Sequence, residues 1–389
     1  MTKSGPMIIF LWPDRVFKKN QYHCTMAIKK GIITGLIVIS GIVIILAIYN
    51  EKEENAGKKN NAIAEAGRYL FFDNRLSFNL SKSCGSCHDP KFAFTDGYRK
   101  SITAKGEDLK HNAPSLVNIA LQNYFDWANP SITTLEKQHE RPLFNEQPVE
   151  LGVKGNEKRI LNGLKKDSLY RVLFSLAFPG SKDLLDFKHI ITCIAAFVRT
   201  LRSFQSPYDR YINGDSTALT PRAKAGKNLF FSSVLNCTSC HPPPLFTTAG
   251  LTKNTDSIYF NTGLYNISGL NRYPAADNGL ASFTGRTADD GKFKTPSLRN
   301  VSLTTPYMHD GSIGTLEEVL DSYARGGRNI STGPFAGDGK ENKNKDHRIQ
   351  GFSLSTEERI CLISFLYSLE DSSVLKNPAF QNPFNLINK

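Results

Sequence analysis

The stretch SKSCGSCHDPKF, Ser81 to Phe92, puts two thiols and an imidazole into five consecutive residues, Cys84 to His88. Three chemistries use a Cys-x-x-Cys-His run: a zinc site, a redox dithiol and a covalently attached haem. The rest of the chain chooses among them. The run returns as Cys237-Thr238-Ser239-Cys240-His241, inside a larger repeat. AGRYLFF (66–72) answers AGKNLFF (225–231), APSLVN (113–118) answers TPSLRN (295–300), and TTLEKQ (133–138) answers GTLEEV (314–319). CIAAFVRTL (193–201) and CLISFLYSL (361–369) close the two copies. Five matches in the same order mark a tandem duplication.

Between these matches the period is helical. LLDFKHIITCIAAFVRTL (184–201) and STEERICLISFLYSL (355–369) carry apolar residues three and four apart, the second behind a Ser-x-x-Glu capping box at Ser355. Strand signals are few, and STGPFAGDGKENKNKDHR (331–348) has the composition of a surface loop. The expected fold is all-α: two tandem cytochrome c-like helical domains with long loops, at 62–205 and 206–372, and a C-terminal tail at 373–389. A chain of 389 residues with 40% hydrophobic content can bury two such cores.

Residues 31–49, GIITGLIVISGIVIILAIY, contain no charge over a length close to the ~20 residues that span a bilayer core. They are expected to form one transmembrane anchor or uncleaved signal, preceding a linker at 50–61. Lys29 and Lys30 on the near side place the 1–30 segment in the cytoplasm and everything beyond the anchor in the periplasm. Met26 offers a second conventional start. The net charge of +12 comes from scattered Lys and Arg, without a basic helix or a nucleic-acid motif, so no nucleic-acid partner is expected.

Zinc requires four ligands, and neither copy carries a second Cys or His pair beside the first. A redox dithiol belongs near a strand-helix crossover and has no need of the following histidine. A c-type haem uses every residue: both thiols form thioethers, and the adjacent imidazole binds the iron. Two covalently attached c-type haems are therefore expected, one on Cys84, Cys87 and His88, the other on Cys237, Cys240 and His241. Of the remaining cysteines, Cys193 and Cys361 fall at equivalent places on amphipathic helices and are read as small core residues, and Cys24 precedes the apolar segment.

With these residues in place, the chain resembles the bacterial di-haem cytochrome c peroxidase and MauG family over roughly residues 62–372. The most specific stretch is TPSLRNVSLTTPYMHDGSIGTLEEVLDSY (295–323). NPSITTLEKQHERPLFNEQPVELG (129–152) and FNTGLYNISGLNRYP (260–274) are similar to the MauG-like branch that includes the methanobactin-associated di-haem enzyme MbnH. The resemblance implies that Tyr323 is the second haem's distal ligand, where ordinary peroxidases have methionine. The equivalent residue in the first copy is Pro142, which offers no ligand, and the loop 89–110 has no histidine to close the first haem. His111 is read as structural or salt-bridging. Glu150 matches the family's distal glutamate and Gln138 its distal glutamine. The spacing between them is two residues longer than usual, which keeps Glu146 as the alternative acid. His139 enters the pocket or faces the surface. Trp127 matches the tryptophan lying between the haems, and the ligands of a calcium ion map to Asn112 and the carbonyl oxygens of Thr304 and Pro306.

The implied enzyme is an oxidoreductase that reduces hydrogen peroxide at the open haem. It would share the oxidising equivalents with the Tyr323-ligated haem and oxidise a residue of a periplasmic partner protein. A phenolic oxygen is a hard donor that favours oxidised iron, which suits this role. The alternative is a conventional cytochrome c peroxidase that detoxifies peroxide with electrons from a small cytochrome c or copper protein. A purely electron-transferring cytochrome would need protein ligands on both faces of both irons.

Overall fold

Seven helices begin the way their sequences announce. Thr134, Asp167, Asp186, Ser206, Thr220, Thr315 and Ser355 each turn a side-chain oxygen onto a first-turn N–H. The computed structural model describes residues 57–181 and 183–385; the chain divides after Lys59, and the architecture here is that of Asn60–Lys389. Helix α1 covers residues 60–71. Then come α2 (Leu135–Phe144), α3 (Glu157–Lys165), α4 (Ser168–Ala177), α5 (Phe187–Thr200) and α6 (Pro207–Ile212). The second copy supplies α7 (Pro221–Phe230), α8 (Ala281–Thr284), α9 (Leu316–Arg325) and α10 (Thr356–Tyr367), and α11 (Ser373–Lys376) follows it.

The repeat is built on two close helix crossings. A Cβ added at Gly67 of α1 would lie 1.8 Å from the carbonyl oxygen of Cys193 on α5. One added at Gly226 of α7 would lie 1.8 Å from that of Cys361 on α10. Backbone thus meets backbone in each copy, and only glycine allows it. The small buried thiols of Cys193 and Cys361 sit on the facing helices, as their periodicity indicates.

Beside each crossing stands a triangle of phenylalanines. Phe71, Phe94 and Phe197 have ring centroids 5.2 to 6.5 Å apart. Their counterparts Phe230, Phe246 and Phe365 are 5.1 to 6.2 Å apart. Four of these six pairs pack edge-to-face and two are tilted, which fixes ring orientation as well as burying area. The copies are joined at Ser203. Asn118 donates to its carbonyl at 2.9 Å and accepts from its N–H at 3.0 Å, while Asn300, at the equivalent place, donates to its hydroxyl at 3.0 Å. Both asparagines have left-handed backbone, with φ of 58° and 60°. Residues after 372 return to the first copy, whose core takes in Val374 and Phe380.

Two expectations are corrected. The fold is not all-α: β1 (Tyr259–Phe260) pairs antiparallel with β2 (Phe293–Lys294), and β3 (Asn329–Ile330) with β4 (Gly337–Asp338). Strands of two residues are too short to produce an alternating pattern. The transmembrane helix preceding the domains is also withdrawn. Residues 31–49 lie outside the described residues, and among the described residues no helix is long and apolar enough to cross a membrane. The 14 residues of α5 cover about 21 Å, against the ~30 Å of a bilayer core.

Gly226→Ala should force α7 off α10 and cost at least about 2 kcal/mol in denaturant titrations, in line with overpacking of a tight interface. Gly163→Ala on α3, where an added Cβ meets nothing within 4 Å, should be neutral or stabilising by up to about 1 kcal/mol. Equal effects at the two sites would contradict the crossing.

Candidate active site

Each Cys-x-x-Cys-His run folds as a single tight turn. Cys84–Ser86 and Cys237–Ser239 are short 3-10 helices, and the N–H groups of His88 and His241 reach back to the carbonyls of Cys84 and Cys237 at 3.0 and 2.9 Å. The two imidazoles are then oriented identically. Nδ1 of His88 bonds the Phe94 carbonyl at 2.9 Å, and Nδ1 of His241 bonds the Phe246 carbonyl at 3.0 Å. Both acceptors have left-handed backbone, with φ of 62° and 53°, and both are corners of the phenylalanine triangles. A carbonyl can only accept, so the proton sits on Nδ1 and Nε2 presents its lone pair. Burial keeps these rings neutral: it lowers the pKa of His88, and that of His241 to about 4.

The thiols exclude the rival chemistries. All four are free, and burial raises Cys84 and Cys237 to about 12 and Cys87 to about 11. A redox dithiol needs the reverse, a stabilised thiolate. Among the described residues no group of three or more His, Cys, Asp or Glu could hold a metal ion, which leaves zinc without ligands. Cys237, Cys240, His241 and Tyr323 instead line one cavity of ≈ 520 Å³, and the donors around it suit a large apolar disc with a central metal. The residues fit haem.

Tyr323 lies on α9, a helix started by the Thr315–Glu318 capping box and stopped at Gly326, φ 83°. Burial, with the nearby thiols of Cys240 and Cys237, raises its phenol well above the ordinary range. It would ionise only beside a cation. Pro142 occupies the matching turn of α2. Gln138, one turn earlier, has its Oε1 sealed from solvent without a hydrogen-bond partner among the described residues. A buried amide oxygen in that state is costly unless something else approaches it.

Glu150 is held by its backbone, whose carbonyl accepts from Ala104 N–H at 2.8 Å. Burial raises its carboxyl to about 7, against the pull of Arg141, and its charge reaches Cys84 and Cys87. Glu146 is exposed and pairs with Lys154 at 2.6 Å. His139 is buried. His111 binds Asp277 at 2.9 Å, with His309 3.4 Å from the other carboxylate oxygen.

Trp127 forms part of the cavity wall. Its indole N–H donates to the Asn112 carbonyl at 2.9 Å, and its own carbonyl accepts from the Lys294 N–H at 2.8 Å. Asn112 and Lys294 occupy equivalent places, each just before a repeated Pro-Ser-Leu element. Asn112, Thr304 and Pro306 line the same cavity, and the Asn112 amide nitrogen is engaged by the Tyr98 carbonyl at 2.9 Å. Two features escaped the sequence. The Asp126 carboxylate pairs with Arg141 and accepts from the N–H groups of Ala128 and Asn129, fixing the turn around Trp127. Lys294 buries its ammonium on Gln122 at 2.7 Å, which lowers its pKa to about 8. The Asn112–Lys294 correspondence was the available signal for the second; a lone Asp–Arg pair gives none.

A family model described as di-haem cytochrome c peroxidase matches residues 61–217. The methylamine utilization protein MauG of Methylorubrum extorquens is 32% identical over 304 residues, covering 78% of this chain and 77% of its own. The chain belongs to the di-haem cytochrome c peroxidase and MauG family. Cytochrome-c peroxidase IdrP2 of Denitromonas iodatirespirans is 31% identical over 340 residues, covering 82% of this chain and 83% of its own. A crystallised MauG-like protein associated with microbial copper homeostasis superposes with a TM-score of 0.80 at 41% identity, covering 83% of this chain and 93% of that one. As a di-haem peroxidase the chain is an oxidoreductase, and two haems come with the family.

The raised carboxyl of Glu150 has a stability consequence. Between pH 4.5 and about 7 the unfolded chain releases this proton while the folded protein retains it, so stability falls as pH rises through that window. Glu150→Gln removes the penalty. Its stability relative to the parent should grow by roughly 1–3 kcal/mol between pH 4 and pH 8 in urea titrations of the holoprotein. A constant difference would mean that the carboxyl is solvated.

Proposed function

We propose that the chain reduces hydrogen peroxide at its first haem and uses the second to help oxidise a residue of a partner protein. The observation that carries this is the asymmetry between α2 and α9. Equivalent turns of equivalent helices hold Pro142, without a donor atom, and Tyr323, with a phenolic one. Haem attached through thioethers to Cys84 and Cys87, and likewise to Cys237 and Cys240, would supply the irons and the redox chemistry that no side chain can. His88 and His241 would hold those irons through Nε2.

Peroxide cleavage needs a proton moved from the inner to the outer oxygen. Glu150 suits the task because a group titrating near the working pH can both give and take a proton. The sealed Oε1 of Gln138 would orient the O–H bonds. Tyr323, ionised against the second iron, would favour its oxidised states. Trp127, held by hydrogen bonds from both copies, would carry electrons between them. Residues 62–205 form the peroxide-reducing half and 206–372 the storing half, both working in the periplasm. Calcium would bind the Asn112 side-chain oxygen and the carbonyls of Thr304 and Pro306, hard donors suited to it.

The conventional peroxidase reading draws support from relatives named cytochrome-c peroxidase. A redox titration separates the two. The protein-oxidising enzyme should have a second haem that is hard to reduce, and Tyr323→Phe should change that haem's spectrum and raise its potential. A second haem reduced readily at positive potential, with a spectrum indifferent to Tyr323→Phe, would establish detoxification instead. Glu150→Gln should slow peroxide consumption by about 10²–10⁴-fold with both haems retained; an unchanged rate removes Glu150 from the proton transfer.

A further inference from the structure

Helices α2 and α9 are two copies of one element, so the residues that line the second cavity identify their counterparts over the first haem motif. On α9 that wall is made by Leu316, Val319, Leu320 and Tyr323. Counted from Thr315 and Thr134, the matching residues of α2 are Leu135, Gln138, His139 and Pro142. The second copy has leucine where the first has an imidazole. His139 is nonetheless as buried as its counterpart, 8% exposed against 7% for Leu320. A polar ring has replaced an apolar side chain without turning to solvent.

The ring is oriented. Its Nδ1 lies 2.6 Å from the Leu135 carbonyl, one turn back in the same helix. That acceptor fixes the proton on Nδ1 and leaves the lone pair on Nε2, to which no group among the described residues donates. The charged form is disfavoured: burial pushes the pKa down to about 4, the Leu135 carbonyl and Glu136 raise it, and the charges of His88 and Arg199 lower it. Glu136 and Arg199 pair with one another at 2.8 Å. The influence of His88 places the ring within electrostatic range of the first haem's proximal histidine.

We propose that His139 is the base of the peroxide pocket, its Nε2 taking the proton that hydrogen peroxide releases on binding. In this step one O–H bond breaks and one N–H bond forms; hydroperoxide and imidazolium result, and no electron moves. The role rests on the reading of the first haem as the peroxide site and adds to it a division of labour. Two titratable groups have environments that push their pKa values apart, a pattern that separates base from acid. At neutral pH His139 is unprotonated and free to accept a proton, while Glu150 holds a proton up to about pH 7 for the leaving oxygen.

Cyanide tests the base without turnover. Hydrogen cyanide must also lose a proton to bind ferric iron, whereas carbon monoxide binds ferrous iron with no proton moved. In the holoenzyme, His139→Leu installs the residue the second copy already carries in this position. It should slow cyanide association by about 10²-fold, as loss of a general base does, with carbon monoxide association unchanged. His139→Gln, which keeps a polar side chain but no base, should behave the same way and serves if the leucine variant fails to take up both haems. Cyanide association at the parental rate in the variant that folds would overturn the proposal. So would conversion of a low-spin first haem to high-spin on replacing His139, since the residue would then be an iron ligand. Neither Tyr323 nor the outer substrate takes part in cyanide binding at the first haem, so failure of the protein-oxidising reading leaves these rates untouched.

Discussion

The bond from a histidine Nδ1 to a phenylalanine carbonyl, made once in each copy, is the constraint on which both sites depend. An imidazole that binds a metal almost always commits its other nitrogen to an acceptor, which fixes its tautomer and orientation. Here that commitment is to backbone, at Phe94 and Phe246, and the backbone is committed in turn by the rings those residues bear. Each ring is a corner of an aromatic triangle whose other corners come from the two crossing helices. The crossing is possible because glycine lets one helix touch the other's carbonyl. A methyl group at Gly67 or Gly226 therefore acts, through two packing steps, on the orientation of a histidine well away from it.

Holding that frame constant frees the opposite face to diverge. The first copy presents an amide, an imidazole and a proline where the second presents valine, leucine and a phenol. None of these substitutions touches the glycine crossing or the phenylalanine triangle, which is why one scaffold can carry two differently lined faces. Burying polar groups has a cost in the first copy, where, among the described residues, Gln138 keeps an unsatisfied oxygen and Glu150 a reluctant carboxyl.

Much of this was legible in the chain itself because its information is local or repeated. The Cys-x-x-Cys-His runs, the capping residues and the five matched elements need no knowledge of tertiary contacts. What stayed hidden depends on partners distant in sequence. The two-residue strands β1 to β4 carry no periodicity. Gly67 reads as an ordinary helix residue until Cys193 is brought against it. Whether His139 faces inward is undecidable from α2 alone, since its burial depends on where that helix lies. Phe380 belongs to the first copy's core although it follows the second in sequence. The apolar segment 31–49 shows the opposite hazard: a strong local signal that lies outside the described residues, among which no helix is long and apolar enough to cross a membrane.

The same duplication accounts for how Trp127 is held. Trp127 is not itself repeated, yet it is gripped by a repeated pair: its indole N–H by the carbonyl of Asn112, its carbonyl by the N–H of Lys294. These are corresponding atoms' neighbours in the two copies, so the indole sits on the seam where one copy's chain passes into the other's surroundings. Asp126 secures the turn from the first side through Ala128 and Asn129, and its carboxylate binds Arg141, whose charge bears on Glu150. The charge that bears on Glu150 thus lies one ion pair from the turn that holds Trp127. This seam exists only because two copies of one module share a single unrepeated tryptophan.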